Sequence, residues 1–138
     1  VYQKGVRLGF YANYVQRVEN LNMEEIAVDL HGLSETGSKV CLLCFLRWLK
    51  THQDVLLRPG TPNVGVITGW GKHSDGVSKV RNSIRTLLKS GIGRPIPFFT
   101  PEGNPGKFQV YRADMLHWLQ QFEQETDIIL TCIDKEFR

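Results

Sequence analysis

The chain is poor in cysteine: three thiols, Cys41, Cys44 and Cys132, in 138 residues. An odd count in a chain long enough to bury a core without staples argues against a disulfide framework and for reduced thiols. Cys41 and Cys44 have the spacing of half a zinc site, but no second pair answers them, so no metal set is expected and they read as small buried hydrophobes. No stretch approaches the ~20 continuous apolar residues of a membrane span, so a soluble domain with no membrane partner is expected. The chain opens on Val1 without a basic and apolar leader, and therefore reads as a fragment or mature form whose address signal would lie elsewhere. Internal repeats and low-complexity tracts are also missing. So is the G-x4-G-K-[ST] spacing of a Walker loop, which argues against nucleoside triphosphate hydrolysis.

What is present is ordinary globular material, 41% apolar and 22% charged, of a length suited to one domain. The net charge of +3 hides a segregation. From Arg58 to Arg112 nine Lys or Arg stand against Asp75 and Glu102, a net of +7, whereas from Asp114 onward two bases face six acids. A basic middle suits a polyanionic partner, although a solvated surface can carry the same charge.

Periodicity then orders the chain. Residues 1–25 hold scattered apolar side chains without a period and read as a linker or the end of a preceding module. "IAVDL" is a short strand bounded by Gly32. A helix follows from Glu35 to Thr51, capped by Ser34, with Val40, Leu43, Cys44, Leu46 and Leu49 as its apolar face. After the Pro- and Gly-rich "HQDVLLRPGTPN", "VGVITG" is a second strand, and the strand-helix-strand unit predicts a parallel crossover. Val77, Val80, Ile84, Leu87 and Leu88 predict a second helix stopped by Gly91. Arg81, Arg85 and Lys89 form a stripe on its other face, either a solvated surface or the border of a site. "IPFF" and "FQVY" read as third and fourth strands joined by "TPEGNPGK". A short helix from Asp114 through "MLHWLQQF" follows, and "DIILTCIDKEFR" reads as a further strand or a loose tail. Trp48 and Trp118 read as core. The expected architecture is α/β, a two-layer sandwich with a βαβαββ core, a mixed four-stranded sheet and a C-terminal helix.

The carboxyl ends of parallel strands share one edge of a sheet, and ligands of open α/β sheets bind there. "DLHG" and "TGWGKHS" both fall at such ends. Strand alternation places Asp29 and His31 on one face. An imidazole titrates near neutral pH, and an adjacent carboxylate would hold its tautomer; alternatively the pair is a polar strand end bonded to a loop. In "TGWGKHS", Gly69 and Gly71 permit close approach of a phosphate to a helix start. Lys72 adds a cation, His73 a proton-transfer group and Ser74 a hydroxyl, while Trp70 would stack on an unpaired base or pack against the loop.

With these motifs placed, the chain resembles the small MutS-related (Smr) domain family. "VDLHGLS" matches the L-D-x-H-G opening, "VITGWGKHS" the strand with its T-G-x-G or H-G-x-G loop, and "GNPGKFQVY" the glycine-containing turn and last strand. The likeness spans roughly residues 26–119, and the "GWGKHS" form is most similar to Smr domains at the C-termini of plant organellar pentatricopeptide-repeat proteins. Val28 replaces the usual Leu, and Pro105 and Lys107 stand in a turn more often built of small residues.

The resemblance implies a fold similar to the C-terminal domain of a bacterial translation initiation factor. It also implies endonucleolytic cleavage or nicking of RNA or DNA, with RNA in the chloroplast, or alternatively the mitochondrion, as the substrate of the plant subgroup. Its motif residues are here Asp29, His31, Thr68, Gly69, Trp70 and Gly71. The expected division is 1–25 linker or end of a repeat array, 26–125 Smr domain and 126–138 C-terminal extension. Asp29 and His31 are the expected catalytic pair. Thr68, Gly69, Trp70, Gly71, Lys72, His73, Ser74, Arg81, Arg85 and Lys89 are expected to hold nucleic acid, with a repeat array in cis choosing the sequence. Mg2+ remains open as a cofactor, as does the oligomeric state. Some Smr domains bind without cutting, so a non-catalytic RNA-binding module is the alternative, and a protein-docking domain a further one.

Overall fold

A computed structural model describes residues 26–57, 63–69 and 79–136. Strand β1 (Ile26–Asp29) pairs in parallel with β2 (Val64–Ile67), which pairs antiparallel with β3 (Lys107–Val110), giving the sheet order β1-β2-β3. The parallel crossover expected of "IAVDL" and "VGVITG" is present, and Leu30 N–H extends its ladder by donating to Ile67 O at 2.7 Å.

Register sorts the side chains. Val28, Val66 and Phe108 align across the three strands, as do Ile26, Val64 and Val110, and all six are at most 1% exposed. They form one core with side chains of helices α1 (Glu35–Thr51), α2 (Asp54–Leu57), α3 (Lys79–Thr86), α4 (Arg112–Leu119) and α5 (Thr126–Glu136). Asp29, Ile67 and Lys107 align on the opposite face, by the alternation of pleated strands.

Helix α1 has the expected bounds. Ser34 Oγ accepts from Gly37 N–H at 3.0 Å, satisfying one of the unpaired amides of the first turn. Its buried stripe is Ser38, Cys41, Leu42, Cys44, Phe45, Leu46 and Leu49, a helical repeat. Val40, expected inside, is 44% exposed: it lies on the far side of the helix from the centre of that stripe. Buried Ser38 is satisfied locally, its hydroxyl donating to Glu35 O at 2.7 Å. Within "HQDVLLRPGTPN" the first half is not irregular, since α2 buries Val55 and Leu56.

Helix α3 continues as a π-helical turn, Leu87–Gly91, and the pair buries Ile84, Leu87 and Leu88 as the sequence period predicts. Val77 lies outside the described residues.

Three further expectations need correction. "IPFF" is not a strand: it contributes one bridge, Phe99 opposite Gln109, with both backbone bonds made at 2.8 and 2.9 Å. Pro95 and Pro97 lack the N–H groups a ladder requires, so the sheet has three strands rather than four. "DIILTCIDKEFR" is neither strand nor tail over its described part. Residues 126–136 are helix α5, which puts Ile128 and Cys132 into the core. Helix α4 begins at Arg112, two residues before the expected start at Asp114.

Candidate functional site

The end of β1 builds a polar pair. Asp29 Oδ1 lies 2.6 Å from His31 Nδ1 and also accepts the His31 backbone N–H at 3.1 Å. One carboxylate oxygen therefore fixes both the turn of the chain and the plane of the ring. Because a carboxylate can only accept, Nδ1 carries the proton of this bond, which makes Nε2 the acceptor whenever the ring is neutral. The His31 side chain is 68% exposed while that of Asp29 is 11% exposed: a held anion supports an accessible imidazole.

Two further segments close on this pair. Gly69, just past β2, has φ +82°, and a Cβ there would stand 3.2 Å from His31 Cβ. Gly106, just before β3, comes closer still: its Cβ would lie 2.9 Å from the Gly69 carbonyl carbon, a backbone atom that has no rotamer to yield. Gly106 O gathers the N–H groups of Thr68 and Gly69, at 2.8 and 3.0 Å, and the Thr68 hydroxyl at 3.2 Å. The ends of "VDLHG" and "VITG" and the turn of "GNPGK" thus meet, with glycine at both contacts because only a missing side chain allows backbones so near.

Arg81 braces the turn from α3. Its Nε donates to Pro105 O at 2.8 Å, its Nη2 to Thr100 Oγ1 at 3.3 Å, and its guanidinium lies 4.8 Å from the Phe108 ring centroid. Burial, and then the neighbouring Arg85, lower its pKa from the ordinary arginine value. From the opposite side of α3, Ser83 Oγ donates to Glu35 Oε2 at 3.3 Å, tying α3 to the start of α1.

The expected site residues therefore divide. Asp29, His31 and Gly69 come together, and Thr68, 4% exposed, supports them from below through Gly106. Arg81 is engaged with the turn. Arg85 and Lys89 lie farther along α3 and the π turn, bordering a groove with residues 95–100. Trp70, Gly71, Lys72, His73 and Ser74 lie outside the described residues. Gly106 was missed as a site residue, although "GNPGK" carried the signal: a glycine immediately before an antiparallel return strand lands beside the loop that leaves the neighbouring strand.

Among the described residues no group of three or more His, Cys, Asp and Glu is placed to hold a metal ion. Asp29 and His31 alone are a thin donor set for Mg2+, which takes six oxygen-rich ligands and keeps several waters. Cys41, Cys44 and Cys132 are buried thiols. Among the described residues no helix is long and apolar enough to cross a membrane.

Fold and site together define an α/β domain whose exposed histidine, oriented by an aspartate, stands where three glycine-bearing segments meet. Two similar proteins carry the comparison further, both pentatricopeptide repeat-containing proteins of Arabidopsis thaliana. One is 32% identical over 95 residues, covering 67% of this chain and 10% of the relative. The other is 33% identical over 102 residues, covering 71% and 11%. The chain is thus related to a segment of pentatricopeptide repeat-containing proteins and spans about a tenth of their length. No family model matches the chain, and no solved structure matches it significantly.

Proposed function

We propose that this chain is an Smr domain that cleaves RNA, working beside a pentatricopeptide-repeat array in a plant organelle, the chloroplast or alternatively the mitochondrion. The observation that carries the reading is the Asp29–His31 pair, a 2.6 Å contact that leaves a largely exposed imidazole. Relatedness to repeat-containing proteins supports a partner array in cis.

The chemistry follows from the ring. His31 Nε2 takes the proton of a nucleophilic hydroxyl as that oxygen bonds to phosphorus, the bond from phosphorus to the leaving oxygen breaks, and the leaving oxygen takes a proton from the imidazolium or from water. With the ribose 2′-hydroxyl as nucleophile the products are a 2′,3′-cyclic phosphate and a 5′-hydroxyl end, and DNA is not cut. With water as nucleophile the P–O3′ bond is the one that breaks, and the new ends are a 3′-hydroxyl and a 5′-phosphate. Asp29 stabilises the imidazolium that forms, which raises the rate without contacting substrate. Gly69 lets the phosphate approach the backbone closely. If bound, Mg2+ would be held by Asp29 and substrate oxygens and would supply charge neutralisation at the phosphate.

The test is incubation of the chain with end-labelled single-stranded RNA, with and without EDTA, and mapping of the new ends. Cyclic-phosphate ends and insensitivity to EDTA are expected. Absence of cutting together with binding that weakens as salt rises would replace cleavage by the RNA-binding module, for which Arg85 and Lys89 at their groove would supply cations.

A further inference from the structure

The groove beside α3 has the chemistry of a second nucleotide site. It measures about 520 Å³, within the range of small-ligand pockets. Arg85 and Lys89 form one wall, and Pro95, Pro97, Phe98 and Phe99 contribute to the other. The segment that makes it is held at both ends. Ile96 N–H donates to Leu88 O at 2.8 Å, and Phe99 exchanges two backbone bonds with Gln109. Ile92 and Ile96 are buried beneath it, and Arg94 O accepts the Trp118 indole N–H at 2.8 Å. Such a groove is preformed, so an occupant loses little affinity to ordering it.

Its aromatic members are arranged as platforms. Phe98 packs edge-on against Phe108 at 4.8 Å, and Phe99 lies 4.9 Å from Tyr111, itself 55% exposed. Cations beside half-buried rings match a nucleotide, whose phosphate seeks the cations and whose base stacks on a ring. The other described groove, beside α5, is lined by Glu123 and Asp127 and repels such a ligand.

The groove is also connected to the histidine. Arg81 holds Pro105 at the turn that backs Gly69 and His31, and Arg85 and Lys89 follow it one and two turns along the helical path, at ~6 Å per four residues. We infer that an unpaired nucleotide of the same RNA strand, a few nucleotides from the bond at His31, binds here with its base on Phe99 and its phosphate on Lys89 and Arg85. The inference rests on the nucleic-acid reading of the His31 site and adds a base-dependent contact to it.

The test compares binding of a short labelled oligouridylate with that of an abasic ribose-phosphate oligomer of equal length, by fluorescence anisotropy on the whole chain. The wild type is expected to favour the uridylate by about five- to a hundredfold, the worth of one stacked base at a factor of ten per ~1.4 kcal/mol. Phe99→Ala should remove that preference while weakening the abasic oligomer by less than about twofold. Lys89→Ala should weaken both oligomers alike, because it removes a phosphate contact. Phe99→Leu keeps the apolar bulk and should also lose the preference, which separates stacking from misfolding. A preference that survives in both Phe99 variants overturns the groove and leaves the His31 reading standing. Salt-independent or absent binding by the wild type removes both.

Discussion

At the scale of single residues, the fold places unusual demands on glycine and cysteine. Gly106 cannot gain a methyl group without moving the Gly69 backbone 2.9 Å away. Gly106→Ala is therefore expected to destabilise the fold by about 1–3 kcal/mol, the usual cost of overpacking, read as a lower urea midpoint. It should also impair RNA cleavage, because Gly69 adjoins His31. Gly103, by contrast, has open space around its Cβ position but φ +78°, so a substitution there strains only the turn. Cys41 is 1% exposed. Burial, then Cys44 and Asp29, push its thiol up to about 12 from an ordinary value of 9.0. Its neutral form is the one the fold accommodates, so its contribution to stability is intact below pH 9 and declines as pH rises from there toward 12. Iodoacetamide at pH 8 should leave Cys41 unmodified in the native chain and label it rapidly in urea, as peptide mass mapping would record. Native labelling at a comparable rate would contradict the packing of α1.

The elements differ in how plainly the sequence announces them. Helix α1 was legible in its extent because a cap and an acidic first turn mark its start, but its apolar face was only partly so, since Val40 is exposed while Leu42 and Phe45 are buried. Strands β1 and β2 and their parallel pairing were legible because short β-branched runs flank a helix. The "IPFF" segment misleads because its apolar residues suggest a strand, while two prolines deny it a ladder; it lies along β3 and joins it only at Phe99. Helix α5 misleads in the opposite way. Ile128 and Ile129 favour a strand locally, but Ile128 and Cys132 are one helical turn apart, and Asp127 accepts the Gln124 N–H at 3.1 Å to start the helix. Arg47 and Glu125 also pair across to α1. Deleting residues 126–138 should cost ~3 kcal/mol or more from the lost burial of Ile128 and Cys132, seen as a lower thermal midpoint. An unchanged midpoint would show that α5 does not belong to the core.

For the whole molecule, the basic stretch from Arg58 to Arg112 was visible in composition, but its division of labour was not. Sequence spacing makes Arg81, Arg85 and Lys89 equivalent. Folding assigns the first to bracing a turn and leaves the other two at a groove, because the β3 hairpin, remote in sequence, comes to rest against α3. Asp29 and His31 were read as sharing a strand face, but they meet in the turn beyond the end of β1, and the approach of Gly106 depended on a return strand whose register no local pattern fixes. The central claim is that His31 is the proton-transfer group of an RNA-cleaving site, and its most direct test is cleavage of labelled single-stranded RNA by the wild type and His31→Ala side by side. The account predicts a fall of at least about a hundredfold, the lower range for loss of a general acid–base group. RNA affinity and thermal midpoint should be nearly unchanged, since the side chain is 68% exposed. Cleavage at the wild-type rate by the variant would contradict it.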